Sequence, residues 1–216
     1  MAQYSAPIQH EHAEPVETHV ASPIPLGLSV LAFTTIVLGC VYAGFIVPFN
    51  SPLARTAVGG LLFIGGIVQI LAGMWEFRKN NTIAATVFSA YGGFLAALGM
   101  IFVPSFGILS AVGTSGVLVP VLGLLFLGWT IFTAVLVVGS LRTDMTMLVT
   151  LVLLFLTFLF LTIGQLAGEN GALLRIGGWL GIICGLVAWY SALAHLLRLN
   201  PAPGFRLPMG GTPVLE

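Results

Sequence analysis

Apolar runs separated by polar turns set the frame of this chain. The runs cover residues 26–47, 57–77, 84–103, 116–139, 145–167 and 172–197. A run of about 20 residues crosses a hydrocarbon layer of ~30 Å at ~1.5 Å rise per residue, so each predicts one membrane-spanning helix. The runs are continuous, whereas a transmembrane barrel needs alternating segments of about ten residues. The pattern therefore predicts an all-α integral membrane protein, a six-transmembrane-helix bundle in a single domain over residues 22–198. Residues 1–21 are polar and unable to bury a core, which predicts a disordered tail, and residues 199–216 form a second, short tail. The residues before the first apolar run are acidic, unlike the basic start of a signal peptide.

Polar residues recur at helical spacing inside this apolar sequence, most densely over residues 65–94. Gly66, Gln69, Gly73 and Glu76 share one helix face, and Thr82, Thr86, Ser89 and Gly93 share a face of the next helix. The first helix places Leu31, Thr34 and Thr35 together, and the fifth places Thr150, Leu154, Thr157 and Gln165 together. A membrane-buried threonine often bonds only its own backbone carbonyl. Four helices that carry such stripes together point instead to a lined pathway. Asn81 or Thr82 can cap the third helix, and free N–H groups there suit a carboxylate. Tyr91 lies near mid-membrane, where its hydroxyl needs a partner, and points nearly opposite Thr82. Either Gly92-Gly93 bends the helix or one of the two faces lines the path.

Glycine stripes mark the packing faces. Gly59, Gly66 and Gly73 run along the second helix, and Gly177, Gly181 and Gly185 along the sixth. Small residues let helices approach closely in lipid, which predicts tight packing within the chain or between copies. Pro23 and Pro25 are expected to hold an extended lead-in and to delay the first helix to about Leu26.

Composition narrows the function. The chain is 58% hydrophobic and 6% charged with zero net charge, far from the roughly one-quarter charged residues of soluble domains. With no basic run, nucleic acid is excluded as a partner class. Cys40 and Cys184 sit deep in apolar runs without metal-ligand spacing. The His10-Glu11-His12 cluster belongs to the tail and lacks a scaffold for a metal. No span carries an HExxH motif or paired aspartates, so no catalytic residue, cofactor or metal site is expected and the chain is not read as an enzyme.

Basic residues orient the bundle. Arg78, Lys79, Arg142, Arg198 and Arg206 fall on the side of the N-terminus, against Arg55 and Arg175 on the other, which predicts cytoplasmic termini. Trp75 suits the interface at the end of the second helix, whereas Trp129 falls mid-span and must pack internally or face lipid. No cation sits at mid-membrane, so an anion would rely on hydroxyls, amides and helix-end N–H groups or travel with a proton. Glu76 either binds a proton at the mouth or pairs with Arg78 or Lys79. Asp144, Glu169 and His195 read as solvated surface groups.

Several of these segments resemble one known family. Residues 22–28, SPIPLGL, resemble the NPAPLGL-type opening motif of the acetate uptake transporter family, the succinate–acetate permeases. GGIVQILAGMWEF and NNTIAATVFSAYGGF resemble that family's helix 2 and the stretch after it. Gly178-Trp179 with the following GIICG, and later Leu207-Pro208-Met209-Gly210, resemble its last helix and tail. Ser22 stands for the motif's Asn and Asn80 for a Gly, the latter acceptable because Asn tolerates a left-handed turn. Residues 200–203, NPAP, mimic the opening motif but follow the last helix.

The resemblance implies six-helix protomers assembled as a homo-hexamer, with a pore through each protomer and an apolar-aromatic constriction. By position, Leu31, Tyr91 and Leu154 form that ring here, with Leu31 where a family pattern has Phe. It implies transport of acetate, and of succinate in some members, across the plasma (inner) membrane by proton symport or as a passive anion channel. Thr34, Thr35, Gln69, Asn81 and Thr82 are the expected polar contacts and Glu76 the mouth or proton residue. The rival class is a non-transporting membrane scaffold or sensor.

Overall fold

The computed structural model describes residues 21–45, 52–112, 116–199 and 207–209. In chain order it holds α1 (Ile24–Ala43), α2 (Pro52–Arg78), α3 (Thr82–Phe102), a 3₁₀ turn (Pro104–Phe106), α4 (Ile108–Val112), α5 (Leu118–Gly139), α6 (Met145–Leu166) and α7 (Gly171–Leu199). All but α4 contain a segment long and apolar enough to cross a membrane, giving six spans. Among the described residues there is no strand.

Three element boundaries differ from the sequence reading. Helix α1 starts at Ile24, ahead of the delay expected from the prolines, and Pro25 lies inside its first turn. A first-turn proline costs nothing in hydrogen bonds, because its missing N–H would have had no partner there. At its other end α1 stops at Ala43, where Gly44 takes φ +69°; residues 46–51 lie outside the described residues. The connection from α3 to α5 is not a short loop. Val103 turns extended before Pro104, and Gly107 at φ +67° redirects the chain into α4.

The α2–α3 turn follows local chemistry. Asn80 adopts φ +57°, the left-handed conformation its place required. Asn81 Oδ1 then accepts the Ala84 N–H at 3.4 Å and caps α3. Asn81→Ala is expected to cost about 1 kcal/mol, a fall of about 2–4 °C in Tm for a chain of this size. Asn81→Ser, which retains a capping oxygen, should hold the wild-type melting point in detergent.

Glycine decides which helices meet. On α2 and α3 the stripes interlock in antiparallel pairs. A Cβ on Gly66 would lie 2.5 Å from the Gly92 carbonyl oxygen, and one on Gly92 would lie 2.6 Å from the Gly66 oxygen. Gly59 and Gly99 are related in the same way, at 2.9 and 2.5 Å. Helices α1 and α7 repeat the device, with Gly39 and Gly178 each 2.7 Å from the other's carbonyl oxygen at the added-Cβ position. Both stripes are thus consumed inside the protomer.

The six spans close into a ring in the order α1, α2, α3, α5, α6, α7 and back to α1. The α3–α5 seam differs from the others because large side chains bridge it. Tyr91 Oη and Thr133 Oγ1 lie 2.5 Å apart, and Phe94 stacks on Trp129 at 4.7 Å between centroids. Mid-span Trp129 therefore packs internally. Trp75 stays exposed near the end of α2, with the Arg78 guanidinium 5.1 Å above its ring. Cys40 and Cys184 are free thiols.

Of the tails, residues 207–209 are described: Tyr190 Oη donates to the Pro208 carbonyl at 2.7 Å and Met209 is buried. The expected tail over 1–21, its histidine cluster and the 200–203 motif lie almost wholly outside the described residues.

Candidate functional site

Among the described residues, three cavities lie along the inside of the ring. On the side where α1 begins, a vestibule of ≈ 300 Å³ is walled by Leu28, Asn81 and Phe88 on one side and by Arg142, Asp144 and His195 on the other. At the opposite end a cavity of ≈ 320 Å³ is lined by Tyr42, Gln165, Glu169 and Arg175 among apolar groups. Between them lies a void of ≈ 10 Å³, bounded by Leu31, Tyr91, Phe94, Leu154 and Phe158. A single water needs about 10–15 Å³, so the waist is closed to anything larger.

The waist is level across the helices that build it. Leu31 stands about 10 Å along α1 from Ile24, and Tyr91 and Leu154 about 13 Å along α3 and α6 from their starts, at ~1.5 Å per residue. All three are about 1% exposed. Tyr91 stacks near-parallel on Phe158 at 6.0 Å, and Phe94 meets the same ring edge-on at 5.3 Å. Stacked rings backed by Trp129 make a rigid wall, while the leucines on α1 and α6 close the other sides.

The expected polar contacts divide into separate groups. Thr35 lines the waist and Asn81 the vestibule. Thr34, one residue away, turns its methyl onto Gly65 of α2 and gives its hydroxyl to the Val30 carbonyl at 2.8 Å. Thr82 is exposed at the start of α3 and lines none of the three cavities, and Thr86 bonds back to its carbonyl at 2.7 Å. Of the opposed faces of α3, it is the Tyr91 face that reaches the path. Gln69 is fully buried between Gly66 and Gly73 on the face that meets α3, without a hydrogen-bond partner among the described residues and outside the three cavities.

Glu76 is 1% exposed, both of its carboxylate oxygens are buried without a hydrogen-bond partner among the described residues, and it lines none of the three cavities. Neither alternative pairing, with Arg78 or with Lys79, is formed among the described residues, and the Arg78 guanidinium lies over Trp75. Asp144 and His195, read from sequence as solvated, face each other across the vestibule wall. His195 Nδ1 lies 2.9 Å from the Ser191 carbonyl and Nε2 lies 3.6 Å from Asp144 Oδ2. On α6, Thr150 and Thr157 bond their own helix carbonyls, each at 2.8 Å. Phe94, Phe158 and Tyr42 carried no signal in sequence, because an aromatic facing a path has the same helical spacing as one facing the core.

Two cavities on opposite ends of a membrane-spanning bundle, separated by a closed, mainly apolar ring, define the class: a six-helix integral membrane protein with an occluded path through the protomer. The family model described as the GPR1/FUN34/yaaH family matches residues 5–208, and this chain belongs to that family. It is 41% identical over 178 residues to Accumulation of dyads protein 2 of Saccharomyces cerevisiae, covering 81% of this chain and 60% of that protein. It is 34% identical over 182 residues to the Succinate-acetate/proton symporter SatP of Escherichia coli, covering 84% of this chain and 91% of SatP. The structure of the bacterial acetate channel SatP superposes with a TM-score of 0.74 at 32% identity, covering 88% of this chain and 99% of that one. The chain spans about three fifths of the length of the Saccharomyces cerevisiae and Emericella nidulans relatives it matches.

Proposed function

We propose that this protein carries small carboxylates, acetate first and succinate second, through the path between its two vestibules. The observation that supports this best is the dry waist of Leu31, Tyr91 and Leu154 between polar-walled cavities. An apolar neck passes a small solute quickly because nothing there holds it, and hydroxyls and amides on either side replace part of its hydration. Transport of acetate is also the activity named for the SatP relatives.

An unpaired carboxylate is costly in a dry ring without a cation. Acetate therefore crosses with a proton in this reading, and Glu76, whose buried carboxylate has no hydrogen-bond partner among the described residues, is the residue that takes the proton at the mouth. Thr35 and Asn81 are the contacts nearest the path; Gln69, Thr34 and Thr82 support the helices rather than the solute. The basic side of the bundle, with Arg78, Lys79 and Arg142, faces the cytoplasm. The protein then sits in the plasma membrane with both termini inside. Assembly as a homo-hexamer, which the resemblance implies, would cover part of the apolar faces turned outward by α2, α5 and α7.

The deciding experiment is acetate flux in proteoliposomes carrying a pH-sensitive dye. An imposed acetate gradient is expected to move protons at fixed stoichiometry with acetate. Acetate flux without proton movement would establish a passive anion channel, and no flux above empty liposomes would favour a scaffold or sensor.

A further inference from the structure

A histidine and a carboxylate meet on the vestibule wall. His195 lies near the end of α7 and Asp144 directly before α6, and both line the ≈ 300 Å³ cavity on the Asn81 side. An aspartate in that position ordinarily caps the helix it precedes. Here the Asp144 carbonyl accepts the Met147 and Leu148 N–H groups at 3.0 and 3.1 Å, while its side chain makes no capping bond. Oδ2 lies instead 3.6 Å from His195 Nε2. One turn deeper, Thr146 and Ser191 join the same two helices, their hydroxyl oxygens 3.1 Å apart.

The contacts of the imidazole fix where its proton sits. Nδ1 is 2.9 Å from the Ser191 carbonyl, which only accepts, so Nδ1 carries the proton of the neutral ring. Nε2 is then a bare acceptor aimed at a carboxylate, itself an acceptor only. Two acceptors cannot bond. A second proton, on Nε2, turns the contact into a charge-assisted pair. Histidine is the side chain suited to gain and lose that proton between about pH 5 and 8. Among the described residues, the charged groups around it are Arg142 in the same cavity, Arg198 three residues on along α7, and Glu76 of α2 with Lys79 beyond it. Helix α1, packed against α7, carries no charged residue.

We infer that His195 and Asp144 form a proton-binding site of the vestibule, distinct from Glu76, whose occupancy sets the charge met by solute entering from the Asn81 side. With the ring neutral, Arg142 and Asp144 cancel and the formal charges lining the cavity sum to zero. With the proton bound, Arg142 and His195 stand against Asp144 and the sum is +1. A carboxylate is drawn into the occupied vestibule and not into the empty one. The proton site stands independently of the carboxylate reading; its effect on entry rests on that reading.

Two measurements test the site. Nitrogen NMR of isotope-labelled histidine in the detergent-purified protein, with His195→Gln assigning the signal, is expected to show the neutral ring protonated on Nδ1. A neutral ring protonated on Nε2 overturns the site. In oriented vesicles, KM for labelled acetate from the Asn81 side is expected to fall about threefold as that side goes from about pH 8 to about pH 6, the worth of one charge several ångströms away in a watery cavity. Carboxylates titrate near about pH 4, so acetate stays ionised throughout. His195→Gln should abolish the fall, and Asp144→Asn, which leaves Arg142 unopposed, should lower KM already at the alkaline end. No fall in the wild type, or a fall that survives His195→Gln, overturns the control of entry. A wild-type protein that moves no acetate overturns the carboxylate reading and the effect on entry, and the NMR tautomer then decides the proton site.

Discussion

Leu154→Ala is expected to let larger carboxylates through. In proteoliposomes the flux of butyrate relative to acetate should rise at least tenfold, which corresponds to about 1.4 kcal/mol in relative barrier. The reason is geometric: the void at the waist is ≈ 10 Å³ and Leu154 is one of its walls. Losing the isobutyl group opens space that the neighbours cannot refill, since Tyr91 and Phe158 are stacked and Phe94 is wedged against Trp129. Tyr91→Ala should act in the same direction and more strongly. Tyr91→Phe, which loses the bond to Thr133 but keeps the ring, should leave size selection intact. Each alanine variant carries a stability cost of about 3 kcal/mol, so the flux ratio is the informative quantity rather than the absolute rate. If Leu31→Ala, Tyr91→Ala and Leu154→Ala all preserve the wild-type ratio, the waist is not the path.

The second large effect is on folding. Gly66→Ala is expected to destabilise the bundle by about 3 kcal/mol, at the upper end of overpacking costs, or about 6–12 °C in Tm. The new methyl would lie 2.5 Å from both the Gly92 oxygen and the Ala96 nitrogen. These are backbone atoms of a helix and cannot step aside. Gly60→Ala, six residues earlier on the same helix, is the control: its Cβ meets nothing within 4 Å. That variant should melt at or slightly above wild type, because alanine favours helix by about 1 kcal/mol over glycine. Thermal unfolding followed by size-exclusion chromatography in detergent reads both, and equal melting of the two variants would refute the interlocked seam.

Much of the architecture was legible in the chain. Six spans follow from run length, because a bilayer has a set thickness and a helix a set rise. A cap at Asn81 or Thr82 and the left-handed turn at Asn80 follow from side-chain chemistry within a few residues, and the fold uses Asn81. The glycine stripes announced close packing, although not their partners. The ring of Leu31, Tyr91 and Leu154 came from the family resemblance, since periodicity cannot tell a waist leucine from a core leucine.

Tertiary structure alone decided which polar face meets the path. Helical period says that Gln69 and Glu76 share a face, yet that face meets α3 at the glycine seam. Thr34 and Thr35 are neighbours in sequence, and one packs on Gly65 while the other reaches the waist. In a bilayer a hydroxyl can satisfy itself on its own helix, so a polar stripe carries no statement about what lies opposite. The same reason hid His195 beside Asp144 and Gln165 beside Tyr42: those partners are brought together by the closing of the ring, and nothing local in the chain encodes where it closes.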